Sequence, residues 1–537
     1  MKFDKNDEMS PFTRKVMGAF NFCGDKLLQI SRKTDTIPGK IPEILFLILF
    51  TVCYSLVLAV HEPGMDVLSS WQLAKDSSVT ELLFQLPHEQ FCPPLWNLIL
   101  VPFAKSGAAP AVLAFIGLFF AVLTAALILF FAPFPRLIRL FLPFTYFLFY
   151  QYGVAADNYH LVTLGFVTVS LTYKMRDTRP GIYTLCLLLL GMSGTYGLVA
   201  ALGLAIVRGC ELINNRKVGK QMICLLVFFA IAVCTIIMIF PNGKLPAMGS
   251  GKDVIIKLLY LPFAILSDAF LTNAFYLNAS LGAESVRISF LAVSVFFGIM
   301  ILSLVFYYGR KQKTAGAFFI PYVLLAVFSM VMGIGRKHIG IVFLLVLFWL
   351  WITCAVRGEE RTGDLSFSVH IRERDKKALK SASVLGVVIV FAINLYWTYS
   401  ACAHDVRKEY EIGRREAEFL KEHKLDACTI MSSQSCLHTL APYLENDRLG
   451  NDSDEKENLV KWDSLGQPDV LYMGPDITKV WSEEETAGWE YTLVYLEAVE
   501  AIWKTESDYQ VASIYVKSEL ARELGLDEIT NVYPGMK

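Results

Sequence analysis

Apolar runs close to the length of a membrane crossing recur from residue 43 to residue 400, separated by short turns that hold many of the Lys and Arg residues. A helix needs ~20 residues to cross the hydrocarbon core of a bilayer. The pattern predicts spans at 43–60, 109–131, 137–153, 158–173, 181–193, 195–209, 221–240, 288–309, 315–333, 338–356 and 381–400. The expected fold class is therefore an α-helical polytopic membrane protein with about 11 transmembrane helices. The pair 181–193 and 195–209 is short and split by Gly191, Gly194 and Gly197, so it fits either a hairpin or one broken element. Pro93 to Ala104 is too short to cross, and Val254 to Leu271 is interrupted by Pro262 and Asp268. Both are expected to lie in the interface.

Charge orients these spans. Arg136/Arg139, Lys174/Arg176/Arg179, Arg216/Lys217/Lys220, Arg310/Lys311/Lys313 and the stretch Arg357 to Lys380 all fall on the side of the N-terminus. The positive-inside bias then puts the N-terminus in the cytoplasm and everything after Tyr399 outside. Residues 1–40 read as a retained cytoplasmic tail, 41–403 as the transmembrane domain with an outer loop at 61–108, and 404–537 as a small extracytoplasmic α/β domain. In that domain Glu409 to His423 and Lys517 to Leu526 have helical character. Ala427 to Met431, Val470 to Met473 and Tyr509 to Val516 read as strands, and Asn446 to Asn458 as a loop. A bacterial plasma membrane is the expected location.

Composition agrees with the pattern and excludes several classes. Hydrophobic residues are 54% of 537 positions and mean hydropathy is +0.46. No basic module alternates with exposed aromatics, so a nucleic-acid partner has no support. The eleven cysteines show no zinc spacing, and most lie in apolar runs. Cys428 and Cys436 could pair if the tail domain sits in an oxidising space. GxGxxG, GxxxxGK[ST] and HExxH are absent, which removes nucleotide-driven pumping and zincin chemistry.

The candidate chemistry gathers on the outer face. Asp66 closely follows the first span and shares its loop with Glu62, Asp76 and Glu89. A carboxylate there can take a proton, orient an acceptor or bind a divalent cation, or simply belong to a solvated loop. Asp157 stands at the start of a span, as a functional group or as the cap of the helix from Asn158. Arg336, Lys337 and His338 form a compact cationic turn that either grips a phosphate or snorkels to head groups. Trp71, Trp96, Trp349 and Trp351 read as interface anchors.

The order of these features resembles the GT-C superfamily of integral-membrane glycosyltransferases, which includes protein mannosyltransferases and aminoarabinose transferases. The matching residues are His61-Glu62-Pro63-Gly64-Met65-Asp66 in the first loop, Cys92-Pro93-Pro94-Leu95-Trp96 downstream, Ala156-Asp157-Asn158-Tyr159-His160-Leu161, and Arg336-Lys337-His338. The likeness covers residues 40–400. Val67 replaces a second acid, Cys92 a histidine and Asp157 an arginine of the usual pattern. The resemblance implies transfer of a sugar from a polyprenyl-phosphate donor to a lipid, glycan or protein acceptor among membrane lipids. Asp66 would be the base or acceptor orienter. Glu62, Glu89, Asp157, Asn158 and Tyr159 would line the site, and Arg336, Lys337 and His338 would neutralise the departing phosphate. No cofactor is specified, and a divalent cation (Mg or Mn) at the carboxylates stays open. The rival expectations are a catalytically degenerate scaffold and an envelope lipid or polysaccharide transporter.

Overall fold

The computed structural model describes residues 11–216, 219–240, 261–273, 284–332, 335–357, 373–408, 413–432, 439–444, 449–451, 468–473 and 490–529. Among them, eight helices are long and apolar enough to cross a membrane. These are Ile41–Leu58, Val112–Phe131, Thr195–Asn214, Lys220–Ile239, Leu291–Lys311, Ala315–Met332, Arg336–Val356 and Lys380–Arg407. The expected eleven full spans are not all of that length. Tyr159–Thr172 has 14 residues and Pro180–Met192 has 13, which at 1.5 Å per residue reach only ~20 Å. The remaining pass is broken by Pro133, Pro135 and Pro143 into Arg136–Phe141, a 3₁₀ turn and a π-helix, Phe147–Val154. Proline removes a helical donor and crowds the preceding turn, so a continuous span cannot form there.

Burial separates a centre from a rim. The span Arg336–Val356 is 78% buried and Tyr159–Thr172 is covered on nearly all sides, whereas Leu291–Lys311 is 17% buried. The rim helices turn Leu45, Leu56, Ile237 and Phe296 outward. An apolar exterior of that extent suits hydrocarbon rather than water. Residues 11–35, expected as a tail, form the helix Pro11–Asp35, which packs along the final long helix where Gly24 meets Ser381. The loop after the first span is not open chain: it folds into Met65–Asp76, Val79–Phe84 and Leu86–Gln90. Ser78 and Glu81 close a capping box at the second of these. Leu95–Ala104 is the short helix expected, starting after Pro93 and Pro94. Residues 261–268 are helical, and 254–260 lie outside the described residues.

The tail domain is a five-stranded mixed sheet in the order β2-β1-β3-β5-β4. Its strands are β1 (Ile430–Ser432), β2 (Leu449–Asn451), β3 (Val470–Met473), β4 (Tyr491–Trp503) and β5 (Glu506–Lys517). Gly413–Glu422 and Ser518–Leu524 are helical. Strand β2 falls in the stretch expected to be loop, and β4 occupies residues to which no strand was assigned. Ala417, Leu420, Ile430, Val470, Ile514 and Val516 share the domain's apolar core. The long β4–β5 hairpin leaves that core: Ile502 and Trp503, at its tip, belong to the core of the helical bundle. Cys436 lies outside the described residues, so its pairing with Cys428 does too.

Candidate functional site

At the end of the bundle nearest the tail domain lies a cavity of about 560 Å³. Six pieces of chain wall it: the start of Met65–Asp76, residues 90–97, the link from Gln151 to Val162, the turn 194–197, Phe328 with Met332, and Lys337 with His338. Asp66, Asp157, Asn158, Tyr159, Lys337 and His338 all line it. Two other expected site residues do not join them. Arg336 and Glu62 are not among the lining residues, and the Glu62 charge lies near Arg414 of the tail domain. The side chain of Glu89 lies outside the described residues.

The acidic wall is built by helix geometry. Asp66 sits in the first turn of Met65–Asp76, where the helix dipole favours a negative charge. Ser70 follows one turn later on the same face, and its hydroxyl donates to Asp157 Oδ2 at 3.0 Å. Asp157 Oδ1 is buried with no partner among the described residues. Burial, reinforced by the neighbouring Asp66 charge, pushes the Asp157 carboxyl up to about 7. Opposite, Lys337 Nζ donates to Asp66 Oδ2 in an ion pair whose side chains are 44% and 58% exposed. Both groups of that pair therefore stay open to incoming ligand. Lys337 is the one Lys or Arg among the lining residues.

The cationic turn is placed by aromatic packing. Gly340 lies so close to the π-helix that a Cβ there would come within 2.5 Å of Phe147 Cδ1. Tyr152 OH donates to the Lys337 carbonyl at 2.5 Å. His338 stacks on Tyr196 with ring centroids 4.1 Å apart, and its Nδ1 accepts from the Gly335 N–H at 2.9 Å. That bond directs the opposite ring nitrogen, Nε2, away from the turn.

The remaining wall is polar below and aromatic beside. Asn158 Nδ2 donates to the Ser193 carbonyl at 2.9 Å and reaches Cys92 Sγ at 3.4 Å. Burial, with Asp157 nearby, pushes the Cys92 thiol up to about 12, so it is a neutral thiol rather than a nucleophile. Phe91 holds a left-handed backbone (φ 50°), its carbonyl accepting from Thr195 Oγ1 and its ring stacked on Phe328. Such conformations persist only where the surroundings enforce them. Trp96 is 3% exposed, lines the cavity and has an indole N–H without a partner among the described residues. Trp71, Trp349 and Trp351 are likewise buried, so none of the four is the interface anchor expected, and of the four only Trp96 lines the cavity.

Sequence reading missed Ser70, Trp96 and Gln151 as parts of this wall. Gln151 had a usable signal, being a lone amide inside the apolar run Phe147–Val154. Among the described residues no group of three His, Cys, Asp or Glu could hold a metal ion. No known family matches this chain, and no curated protein or solved structure does either.

Proposed function

We propose that the cavity transfers a sugar from a polyprenyl-phosphate donor to an acceptor hydroxyl at the outer face of a membrane. The supporting observation is the meeting of Asp66, Asp157 and Lys337 around one cavity, with a solvent-accessible ion pair between Lys337 and Asp66. In this reading the donor phosphate takes Lys337 from Asp66. The Asp66 carboxylate, released, accepts the proton of the acceptor hydroxyl, whose oxygen bonds to the anomeric carbon. The bond from that carbon to the phosphate oxygen breaks, and its electron pair leaves with the phosphate beside the Lys337 ammonium. Asp157, raised to about 7, is protonated in a share of the molecules at neutral pH, and that form donates a hydrogen bond toward the acceptor or the sugar. Only one of two neighbouring carboxyls is then ionised, which limits their repulsion. Asn158, Trp96 and Tyr159 fix the sugar, and no step runs through a cation.

The topology of the reading is eleven crossings with the three short passes counted, the N-terminus in the cytoplasm of a bacterial cell and the tail domain outside. Arg136, Arg176 and Arg310 at the far end of the bundle supply the positive-inside support. The test uses protein in nanodiscs and a panel of polyprenyl-phosphate sugars. Sugar release by the wild type, lost at least ~100-fold in Asp66→Asn, is the expected result. Donor binding without release by the wild type would instead favour the non-catalytic scaffold.

A further inference from the structure

The tip of the β4–β5 hairpin is a two-residue turn, Lys504 and Thr505, between the closing pair Trp503 and Glu506. Lys504 takes the left-handed backbone that such turns need. It is nonetheless fully buried, inside the helical bundle. Its Nζ donates to the carbonyls of Asp268 at 2.6 Å and Thr272 at 2.8 Å. The same ammonium lies 4.0 Å from the ring centre of Trp397 and 4.3 Å from that of Trp503. A lysine costs much to bury, so this seat is specific rather than incidental.

From the tip a chain of hydrogen bonds runs to the cavity. The Lys504 backbone N–H donates to Tyr146 OH at 3.0 Å, and Tyr146 OH donates to Gln151 Oε1 at 2.9 Å. Tyr146 is fully buried, while Gln151 is half-buried and lines the cavity. With Oε1 committed to Tyr146, the amide N–H groups are the end of Gln151 available to a ligand. The intervening backbone is the π-helix Phe147–Val154, a rare form that recurs at functional sites. A second clamp holds it: Tyr150 OH donates to Asp405 Oδ1 at 2.7 Å, and Asp405 Oδ2 pairs with His61 Nδ1 at 2.7 Å.

We infer that Gln151 is a ligand-contacting residue of the cavity, presented as a hydrogen-bond donor by the tail domain, whose hairpin tip holds it through Tyr146. The tail domain then supports the site's wall from behind without lining it. Its occupant is a ligand with an acceptor oxygen near Gln151, a sugar hydroxyl or a phosphate oxygen. The identity of the probe rests on the function proposed above; the hold of the hairpin on the π-helix does not.

The test has two arms on the full chain in nanodiscs. Hydrogen exchange is followed without ligand across 147–154 in wild type, Tyr146→Phe and Lys504→Met. Farnesyl phosphate and a polyprenyl-phosphate sugar are titrated into wild type, Gln151→Leu, Tyr146→Phe and the double variant. The expected exchange result is at least tenfold faster opening of 147–154 in Lys504→Met and a smaller rise in Tyr146→Phe. In binding, Gln151→Leu weakens one or both probes by ~3–10-fold, the worth of one hydrogen bond. Tyr146→Phe, which alters no lining atom, weakens binding as well, and the double variant is no weaker than Gln151→Leu alone. A loss confined to the sugar-bearing probe assigns Gln151 to the sugar, and a loss shared by both assigns it to the phosphate. Unchanged exchange in both hairpin-side variants, or additive losses in the double variant, overturns the inference. A wild type that binds neither probe, yet whose π-helix loosens in Lys504→Met, overturns the donor reading and supports the hairpin's hold.

Discussion

The two ends of the helical bundle use charge differently. At the far end Arg136 gives its side-chain N–H groups to Glu43 and to the carbonyls of Thr34, Ile37 and Gly39. Arg208 is likewise spent on Asp177, Glu211 and the Arg176 carbonyl. At the cavity end Lys337 has a half-exposed partner, Asp157 has an oxygen with none, and Trp96 has a spare N–H. Glu43 Oε2 and Arg139 Nε at the far end also lack a partner among the described residues, but both side chains are tied into one cluster with Arg136, and that cluster holds structure. Charges left short of partners around a void are poised for something that arrives.

The contrast can be broken most forcefully at Asp66. Asp66→Asn should lower sugar transfer by ~10²–10⁴-fold while leaving the melting temperature almost unmoved, because its pair with Lys337 is exposed. Glu43→Ala should do the reverse. Glu43 is 2% exposed and accepts from both Arg136 and Arg139, so its loss should cost roughly 3 kcal/mol of stability. Transfer per folded molecule, measured beside a thermal-unfolding series, should stay at the wild-type level. If the two substitutions gave the same pattern, the division between the ends would not stand.

Gly340→Ala probes the join between the cationic turn and the π-helix. The added methyl has to displace Phe147 or Tyr152, at ~1–3 kcal/mol for overpacking. Transfer should fall by about tenfold as Lys337 shifts; an alanine variant of full activity would show that the turn is not held by this packing. The smallest effect concerns pH. The Asp157 carboxyl is raised from 3.8 to about 7 in the folded protein. Its contribution to stability is therefore complete below 3.8 and is lost as pH rises through about 7. Asp157→Asn should flatten that slope and raise the melting temperature at pH 8 by a few degrees; an unchanged slope would mean that the group titrates elsewhere.

Much of the frame was legible in the chain because a bilayer-length apolar run has few alternatives. The long spans, the short helix after Pro93 and Pro94, and strand Val470–Met473 follow from local pattern. The π-helix did not, because in a segment apolar but for Gln151 a 3.6-residue period and a wider one look alike. Strand β4 mixes Leu, Glu and Ala, which favour helix, with Tyr, Thr, Val, Ile and Trp, which favour strand, and pairing with β5 along its length decides between them. The short helices after His61 mix polar and apolar positions too closely to declare a face. Of the cavity, Asp66, Asp157 and Lys337 could be placed at one end by following the passes, whereas Glu62 and Arg336 could not be separated from them. That separation depends on which way each side chain turns, and neighbours in the sequence do not set it. Gln151 stood out as a lone amide, but its tie to the tail domain was hidden, because its partner Tyr146 meets Lys504 only in the folded chain.

The exchange of partners by Lys337 is tested most directly by titrating farnesyl phosphate into wild type, Asp66→Asn and Lys337→Met in nanodiscs, followed by calorimetry. Freed from its ion pair, Lys337 in Asp66→Asn should bind the phosphate ~3–10-fold more tightly even as transfer collapses, and Lys337→Met should bind at least ~10-fold more weakly. Weaker or unaltered binding in Asp66→Asn would contradict the exchange and leave the Lys337–Asp66 pair as a structural contact.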